Sequence, residues 1–186
     1  IWSDEFNGTS LDTTKWDIVD KEDWYDAWYA PHNVEVSNGT LKLHSQEELY
    51  NGKHWTGAKI EGKYHPEYAY LEARVRHTEA DAKIWSAWWT IGWENNTWKW
   101  PPEFDIFEFG THFADSPLHN YHWDTGSGHQ FDGNVTGLDE TEWHTYGVYW
   151  TESQSAVFYV DGLISYVANG PAEGAQLPAF MLLSSS

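Results

Sequence analysis

The sequence predicts an all-β fold, a sandwich or barrel of many short antiparallel strands. Gly, Asn and Asp interrupt the chain roughly every 8 to 15 residues, which is typical of turns between such strands. Helical periodicity is weak throughout, and only residues 79–82 suggest one helical turn. No polar linker or internal repeat divides the sequence. We therefore expect residues 1–186 to form a single domain, which is long enough to bury a hydrophobic core.

In the first half of the chain, strands are predicted from alternating apolar and polar residues. Residues 40–45 (TLKLHS) alternate directly after Asn38-Gly39, a dipeptide typical of hairpin turns. Residues 68–77 (YAYLEARVRH) form a longer alternating segment. Residues 22–32 (EDWYDAWYAPH) are aromatic, acidic and without a period, so we expect a loop there that contributes to a binding surface.

In the second half, the strand signals are stronger. Residues 84–91 (IWSAWWTI) are nearly all apolar, which predicts a strand buried on both faces. Residues 143–151 alternate over their whole length. Residues 156–160 and 163–167 flank Asp161-Gly162, which predicts a β-hairpin.

Charge and composition exclude several classes of protein. Lys plus Arg total 10 against 29 Asp plus Glu, so the formal net charge is −19. Such a chain is a poor partner for nucleic acids and for anionic membrane surfaces. It contains no cysteine, which excludes disulfides, thiol catalysis and Cys-ligated zinc. No apolar run of about 18 residues predicts a membrane span, and no spaced histidine pattern indicates a zinc site.

The aromatic residues give the first indication of function. The chain has 14 Trp and 11 Tyr beside 8 Phe. Trp and Tyr combine a flat apolar face with a polar group, so they suit surfaces that are partly wet. Sugars present the matching surface, with C–H faces to stack on and hydroxyl groups to hydrogen-bond. We expect about half of the tryptophans to be core residues and half to line a groove.

Residues 103–108 (EFDIFE) contain the most informative pattern of the chain. Side chains alternate along a strand, so Glu103 and Asp105 share one face while Phe104 points to the other. Strict alternation would bury Glu108, and an unpaired buried carboxylate is costly. One extra residue, a β-bulge near Ile106 or Phe107, returns Glu108 to the acidic face. The pattern therefore predicts three carboxylates in a row on a bulged strand.

The spacing of these acids suggests a chemistry. With the bulge, the Cα atoms of Glu103 and Glu108 lie roughly 13 Å apart. Each side chain can lean inward by about 4 Å, which leaves the carboxyl groups roughly 5 Å apart. Retaining glycoside hydrolysis uses carboxyl groups about 5–5.5 Å apart, whereas an inverting pair needs more room for a water molecule. The alternative is an exposed acidic edge strand, which the four apolar residues within 104–109 disfavour.

With its flanking blocks, this motif resembles the signature of glycoside hydrolase family 16, in its bulged E-x-D-x-x-E, laminarinase-like form. The resemblance covers nearly the whole chain. Residues 1–6 resemble the opening strand of the family. The other matching blocks are residues 33–43, 62–64 with 70–75, 85–92, and 143–147 with 158–162.

The resemblance implies a β-jelly roll, a sandwich of two curved antiparallel sheets with an open concave cleft. It implies that Glu103 is the nucleophile and Glu108 the general acid/base. Asp105 would lie between them and hydrogen-bond Glu103. Negative charge near Glu108 would keep it protonated when it meets the leaving oxygen.

The resemblance also suggests residues that bind the substrate. His122 corresponds to a histidine that faces the cleft in bulged members of the family, and Asn33 to a position that touches the sugar. Four tryptophans are candidates for stacking under sugar rings. They are Trp85, Trp89, Trp98 and Trp100. A structural role for His122 and a core role for each tryptophan remain the alternatives.

The chain departs from the family pattern in two places. The glucanase branch often carries an Arg or Lys ahead of its Gly-Lys-aromatic block, and residues 56–61 (TGAKIE) are one residue shorter and lack that Arg. The sequence also stops where the family adds a final strand, so either the chain is truncated or another segment replaces it beside residues 1–6. The resemblance implies no required cofactor. It allows a structural calcium ion near Gly39.

Together these features predict a retaining endo-hydrolase of a β-linked polysaccharide, with β-1,3-glucan of the laminarin type as first choice. A galactan of the agarase or carrageenase type is the alternative substrate, and a transglycosylase or a non-catalytic glycan-binding module the alternative function. The net charge of −19 opposes sulfated polymers. We expect a monomer that has a polysaccharide as its partner, binds neither nucleic acid nor membrane, and is secreted, because polymers do not enter cells.

Overall fold

The structure, a computed structural model, describes residues 1–23, 26–77, 84–110, 118–123, 129–131, 137–152, 155–169 and 179–185. These residues contain no α-helix, and therefore none that could cross a membrane. The strands are β1 (Trp16–Ile18), β2 (Lys21–Glu22), β3 (Ala27–Tyr29), β4 (Val34–Ser37), β5 (Thr40–Leu43), β6 (Gln46–Tyr50), β7 (Lys53–Gly62), β8 (Tyr70–Val75), β9 (Ser86–Glu94), β10 (Thr97–Phe109), β11 (Leu118–His122), β12 (His129–Phe131), β13 (His144–Trp150), β14 (Ser155–Val160), β15 (Leu163–Asn169) and β16 (Ala179–Ser185).

The chain forms two compact units. The first comprises Ile1–Tyr64 and Leu182–Ser186, and the second comprises His65–Met181. In the first unit, β7 is the central strand. It pairs antiparallel with β1, β6 and β16, and parallel with β3. The predicted hairpin at Asn38-Gly39 is confirmed, since β4 and β5 pair around a turn in which both residues have positive φ.

The loop predicted over residues 22–32 is wrong in part. Strand β3 lies inside it, and a 3-10 turn at Pro31–Asn33 follows. Ala27 and Tyr29 are buried on one face of β3 and Trp28 is half-buried on the other. Three residues are too few for this alternation to be visible in the sequence. The pairing of β3 with residues 55–57 of β7 supplies the backbone hydrogen bonds that make it a strand.

The opening strand expected at residues 1–6 is also absent. This segment is held by side chains instead. The Trp16 indole nitrogen donates to Asp4 Oδ2 at 2.9 Å, and the rings of Trp2 and Trp16 lie 5.3 Å apart, edge to face. Aromatic and hydrogen-bonding contacts of this kind attach a segment without a strand ladder.

The second unit contains two antiparallel sheets. One has the strand order β12-β11-β10-β9, and the other has the order β15-β14-β13-β8. The strands predicted at residues 68–77, 84–91 and 143–151 are confirmed as β8, β9 and β13. The hairpin around Asp161-Gly162 is confirmed as β14 and β15. Residues 79–82, where a helical turn was expected, lie outside the described residues.

Aromatic side chains fill the core between the two sheets of the second unit. Phe104 lies 5.1 Å from Trp150, measured between ring centroids, and Phe107 lies 4.9 Å from Tyr146. Phe104 also stacks on Tyr121 of the neighbouring strand at 4.5 Å. All five rings are buried. Each large apolar side chain that is buried stabilises the fold by about 1.5–3 kcal/mol. These contacts therefore hold β10 against β13.

Candidate active site

The predicted β-bulge in β10 is confirmed. Asp105 pairs with Asn120 of β11 and Glu108 pairs with Leu118, so two residues of β10, Ile106 and Phe107, lie opposite one residue of β11. The pairing with β9 shifts by one residue at the same place. As a result, Glu108 returns to the face of Asp105, and its carboxylate accepts a hydrogen bond from the Asn120 side chain on that face.

At one end of the acidic row, a histidine contacts two of the acids. His122 pairs with Glu103 across β10 and β11. Its Nε2 atom lies 3.5 Å from Glu103 Oε1 and 3.5 Å from Asp105 Oδ2. The side chains of Glu103 and His122 are 20% and 18% exposed, whereas that of Asp105 is 7% exposed. Glu103 and His122 are thus accessible to a ligand, while Asp105 lies beneath them.

At the other end, Glu108 is held by two donors. The indole nitrogen of Trp85 donates to Oε1 at 3.1 Å, and the amide nitrogen of Asn120 donates to Oε2. Glu108 is itself buried. Side-chain donors that fix both oxygens leave the carboxyl group in one orientation. Such preorganisation is what a group that transfers a proton at a defined atom requires.

The electrostatics of the row favour a proton on its two buried members, Asp105 and Glu108. Burial raises the pKa of Glu108, and the nearby charge of Asp105 raises it further, while the hydrogen bonds from Trp85 and Asn120 act against this rise. Burial likewise raises the pKa of Asp105, and a hydrogen bond from Asn120 opposes it. Two buried carboxyl groups whose charges repel each other favour a state in which at least one of them holds a proton.

A second irregularity lies just before Glu103. Lys99 pairs with Gly92 of β9 and Glu103 pairs with the next residue of β9, Ile91, so Trp100-Pro101-Pro102 has no partner on β9. Both peptide bonds of this tripeptide are cis. Trp100 is 42% exposed, and its ring centroid lies 6.0 Å from that of His122. The insertion therefore presents an aromatic face beside the acidic row.

Gly92 allows this insertion to approach β9. A Cβ atom at Gly92 would stand 2.5 Å from the Lys99 carbonyl oxygen and 2.6 Å from Cδ of Pro102. Any larger residue would displace the strand that carries Glu103.

Two more of the predicted binding tryptophans lie close together. Trp89 pairs with Asp105 across β9 and β10, so its side chain lies on the face of the acids. Its ring is perpendicular to that of Trp98, with centroids 6.1 Å apart. Both are half-buried. Their contact with a sugar stays a prediction, as do the roles of Trp85 and Trp100.

Asn33 lies in the first unit and is fully buried. Its amide nitrogen donates to Thr56 Oγ1 at 2.9 Å and to the Gly57 carbonyl at 3.1 Å, and its oxygen accepts from the Gln46 amide. These contacts occupy the side chain inside the protein. Its contact with a sugar stays a prediction.

One group of potential metal ligands is found in the part of the chain that the structure describes. Ligand atoms of Glu103, Asp105 and His122 all lie within 4.8 Å of one another. Two of these side chains, Glu103 and Asp105, belong to the acidic row, and His122 contacts both. We assign no metal to them.

Asn120 and His119 were not among the predicted site residues. Asn120 contacts Glu108, and its position could have been found from the alternation in residues 119–122 (HNYH), which places it on the face of His122. His119 lies on the opposite face of β11. No feature of the sequence indicates that it contacts the bulge.

The chain was compared with known proteins. The family model described as "Glycosyl hydrolases family 16" matches residues 21–181. The "Endo-1,3-1,4-beta-glycanase ExsH" of Rhizobium meliloti (strain 1021) is 26% identical over 98% of this chain and 45% of its own length. The "Beta-glucanase" of Rhodothermus marinus is 28% identical over 88% of this chain and 63% of its own length. The chain thus spans about half to two thirds of these relatives.

Among solved structures, LamAcat from Zobellia galactanivorans superposes with a TM-score of 0.85. It is 24% identical, and the superposition covers 100% of this chain and 86% of that one. This likeness confirms the predicted fold class, the β-jelly roll.

Proposed function

We propose, from the premise that the chain belongs to glycosyl hydrolases family 16, that it is a retaining endo-glycosidase of β-glucans. The observation that carries the proposal is the bulged row of Glu103, Asp105 and Glu108. In this row Glu103 is accessible, whereas the buried Asp105 and Glu108 favour a bound proton. This asymmetry separates a nucleophile from an acid on one strand.

In the first step, the carboxylate of Glu103 attacks the anomeric carbon of the sugar. The bond from that carbon to the glycosidic oxygen breaks, and Glu108 gives its proton to the departing oxygen. An ester between Glu103 and the sugar remains. Trp85 and Asn120 donate hydrogen bonds to Glu108 and so stabilise the carboxylate that this proton transfer creates.

In the second step, the Glu108 carboxylate removes a proton from a water molecule, and the water oxygen attacks the anomeric carbon. The ester bond breaks, and Glu103 leaves as a carboxylate. Two displacements at one carbon retain its configuration. His122, whose Nε2 atom lies 3.5 Å from Glu103 Oε1 and from Asp105 Oδ2, orients these two acids.

Several features support a neutral β-glucan as substrate. The net charge of −19 and the 10 Lys and Arg residues disfavour a sulfated chain. The names of two relatives describe enzymes that act on β-glucans or on 1,3-1,4-β-linked glycans. Exposed Trp100 beside the acids suits the C–H face of a glucose ring.

The proposal is tested by digesting laminarin, mixed-linkage β-glucan, agarose and carrageenan. We expect oligosaccharides from laminarin first, and an initial product with the β configuration when the reaction is followed by NMR. Glu103→Gln should still bind laminarin and release no product. Binding by the wild type without cleavage of any polymer would favour a non-catalytic module, and transfer to sugar acceptors in place of water would indicate a transglycosylase.

We further propose that the enzyme acts outside the cell, because its polymeric substrate does not enter cells. A monomeric state is a separate proposal. A calcium ion near the Gly39 turn also remains a proposal. Asn7 Oδ1 lies 3.8 Å from the place of a Cβ on Gly39, so one oxygen donor is near that turn. No step of the reaction depends on this ion.

A further inference from the structure

His119 lies directly opposite the bulge of β10. Asp105 pairs with Asn120 and Glu108 with Leu118, which leaves this one residue of β11 facing both bulged residues. In a β-bulge the extra residue loses its partner in the ladder. Ile106 is fully buried, so the polar groups of its backbone need another partner.

The His119 ring supplies that partner. Its Nδ1 atom lies 2.6 Å from the carbonyl oxygen of Ile106. A carbonyl oxygen can only accept, so Nδ1 carries a proton and donates it. On the other side of the ring, Nε2 lies 2.8 Å from the hydroxyl oxygen of Ser165. The Ser165 hydroxyl therefore donates to Nε2, which fixes the tautomer that the Ile106 carbonyl needs.

The surroundings of His119 make it a rigid, neutral support. The residue is 0% exposed. Its ring stacks on Phe158 of β14, with centroids 4.9 Å apart and planes 22° apart. Burial lowers the pKa of His119 to about 4, so the ring carries no charge at neutral pH. Ser165 lies on β15, so one sheet of this unit supports the irregularity in the other.

We propose that His119 is a positioning residue, which holds the bulge so that Glu108 faces the reacting glycosidic oxygen. The inference rests on the proposed function. Ile106 and Phe107 are the two residues directly before Glu108, so a change in the bulge moves the Glu108 carboxyl group away from its donors, Trp85 and Asn120. His119 itself has no contact with the reacting atoms in this mechanism.

The test compares two substrates in the His119→Leu variant. Hydrolysis of a β-glucan oligosaccharide needs a proton from Glu108, whereas loss of 2,4-dinitrophenolate from the corresponding aryl glycoside does not. We expect kcat/KM for the oligosaccharide to fall about 10- to 100-fold and kcat/KM for the aryl glycoside to fall by less than about threefold. His119→Asn, whose amide nitrogen can replace Nδ1, should restore most of the lost activity.

Thr90→Val is the matched control. Thr90 is a fully buried residue of β9 whose hydroxyl group has no hydrogen-bond partner among the residues that the structure describes, so its loss should change neither rate. Equal losses on both substrates in His119→Leu, or no restoration by His119→Asn, would overturn the positioning role.

Should His119→Leu fail to fold, Ser165→Ala provides the same comparison. It removes the donor to Nε2 and keeps the ring. We expect a selective loss of about 3- to 10-fold on the oligosaccharide, and an equal loss on both substrates would again overturn the proposal. Inactivity of the wild type towards every polymer and aryl glycoside would instead refute the proposed function, and the positioning role with it.

Discussion

At the scale of single residues, the two glutamates of the acidic row are distinguished by their surroundings. Glu103 is partly accessible beside His122, while Glu108 is buried between Trp85 and Asn120. The residue types alone do not make this distinction, because the sequence contains the same side chain twice. The different burial of the two glutamates and the bulge in β10 create this distinction. The role of each glutamate can therefore be tested separately.

Glu108→Ala should lower kcat on β-glucan by about 10²- to 10⁴-fold, because no group then protonates the leaving oxygen. With a 2,4-dinitrophenyl glycoside the first step needs no proton. The second step then stalls for lack of a base, and added azide should restore turnover. The product to identify by NMR is a glycosyl azide with retained configuration. Azide should have no effect on the wild type, and lack of restoration in the variant would count against the acid/base role.

The alkaline limit of activity should follow the pKa of Glu108. Burial and the charge of Asp105 raise this pKa, so Glu108 keeps its proton at higher pH than an ordinary glutamate. Trp85→Phe removes a hydrogen bond that stabilises the charged form, so the fall of kcat/KM should move to higher pH. Asp105→Asn removes a negative charge, so the fall should move to lower pH. Shifts in the same direction in pH–rate profiles of both variants would contradict this electrostatic account.

At the scale of elements, β10 carries two irregularities within one strand. The bulge was predictable because strict alternation would have buried an unpaired carboxylate. The insertion Trp100-Pro101-Pro102 was not predicted, although two prolines inside a strand indicate an interruption of its ladder. Strand β3 was missed because its pairing with β7 depends on residues far along the chain. The alternation of apolar and polar residues identifies strands that bury one face. It does not identify a short strand such as β3, which depends on pairing with a strand distant in the sequence.

Gly92→Ala should disturb β10 just before the nucleophile. The added Cβ would stand 2.5 Å from the Lys99 carbonyl oxygen, so β9 and β10 must separate. We expect a loss of about 1–3 kcal/mol in the free energy of unfolding, as for other overpacked sites, and a lower kcat because Pro102 precedes Glu103. Thermal unfolding and laminarin hydrolysis measure the two effects.

Gly8→Ala serves as the comparison, since its Cβ would meet the Ser10 carbonyl oxygen at 3.3 Å in an exposed segment. A Gly92→Ala variant as stable as Gly8→Ala would show that β9 and β10 tolerate a side chain there.

At the scale of the whole molecule, the buried acids link function to stability. A carboxyl group whose pKa is higher in the folded than in the unfolded chain stabilises the fold only at low pH, and this contribution is lost as pH rises through the folded pKa. Asp105 and Glu108 both have raised pKa values. The free energy of unfolding should therefore decline from about pH 4.5 towards pH 8 on their account.

Glu108→Gln removes one of these ionisable groups. Its amide oxygen can accept the hydrogen bond from Trp85, and its amide nitrogen can donate to the Asn120 side chain once that amide has rotated. At pH 8 we expect its Tm to exceed that of the wild type by about 2–4 °C for each kcal/mol by which the free energy of unfolding rises. This difference in Tm should shrink towards pH 4. Scanning calorimetry at several pH values measures this. Glu94→Gln, at an exposed site, is the control and should leave the profile unchanged. A Glu108→Gln variant less stable than wild type at pH 8 would contradict the burial penalty.

The path of the chain has a consequence for synthesis. Strand β7 ends at Gly62, but its partner β16 pairs with it through Leu182–Ser185, after residues 63–181 have intervened. A chain emerging from the ribosome therefore exposes one side of β7 until residues 182–185 appear, and contacts between such distant segments form slowly. Nascent chains halted before Leu182 should consequently be captured by chaperones or cut by proteases more readily than chains extended beyond Ser185.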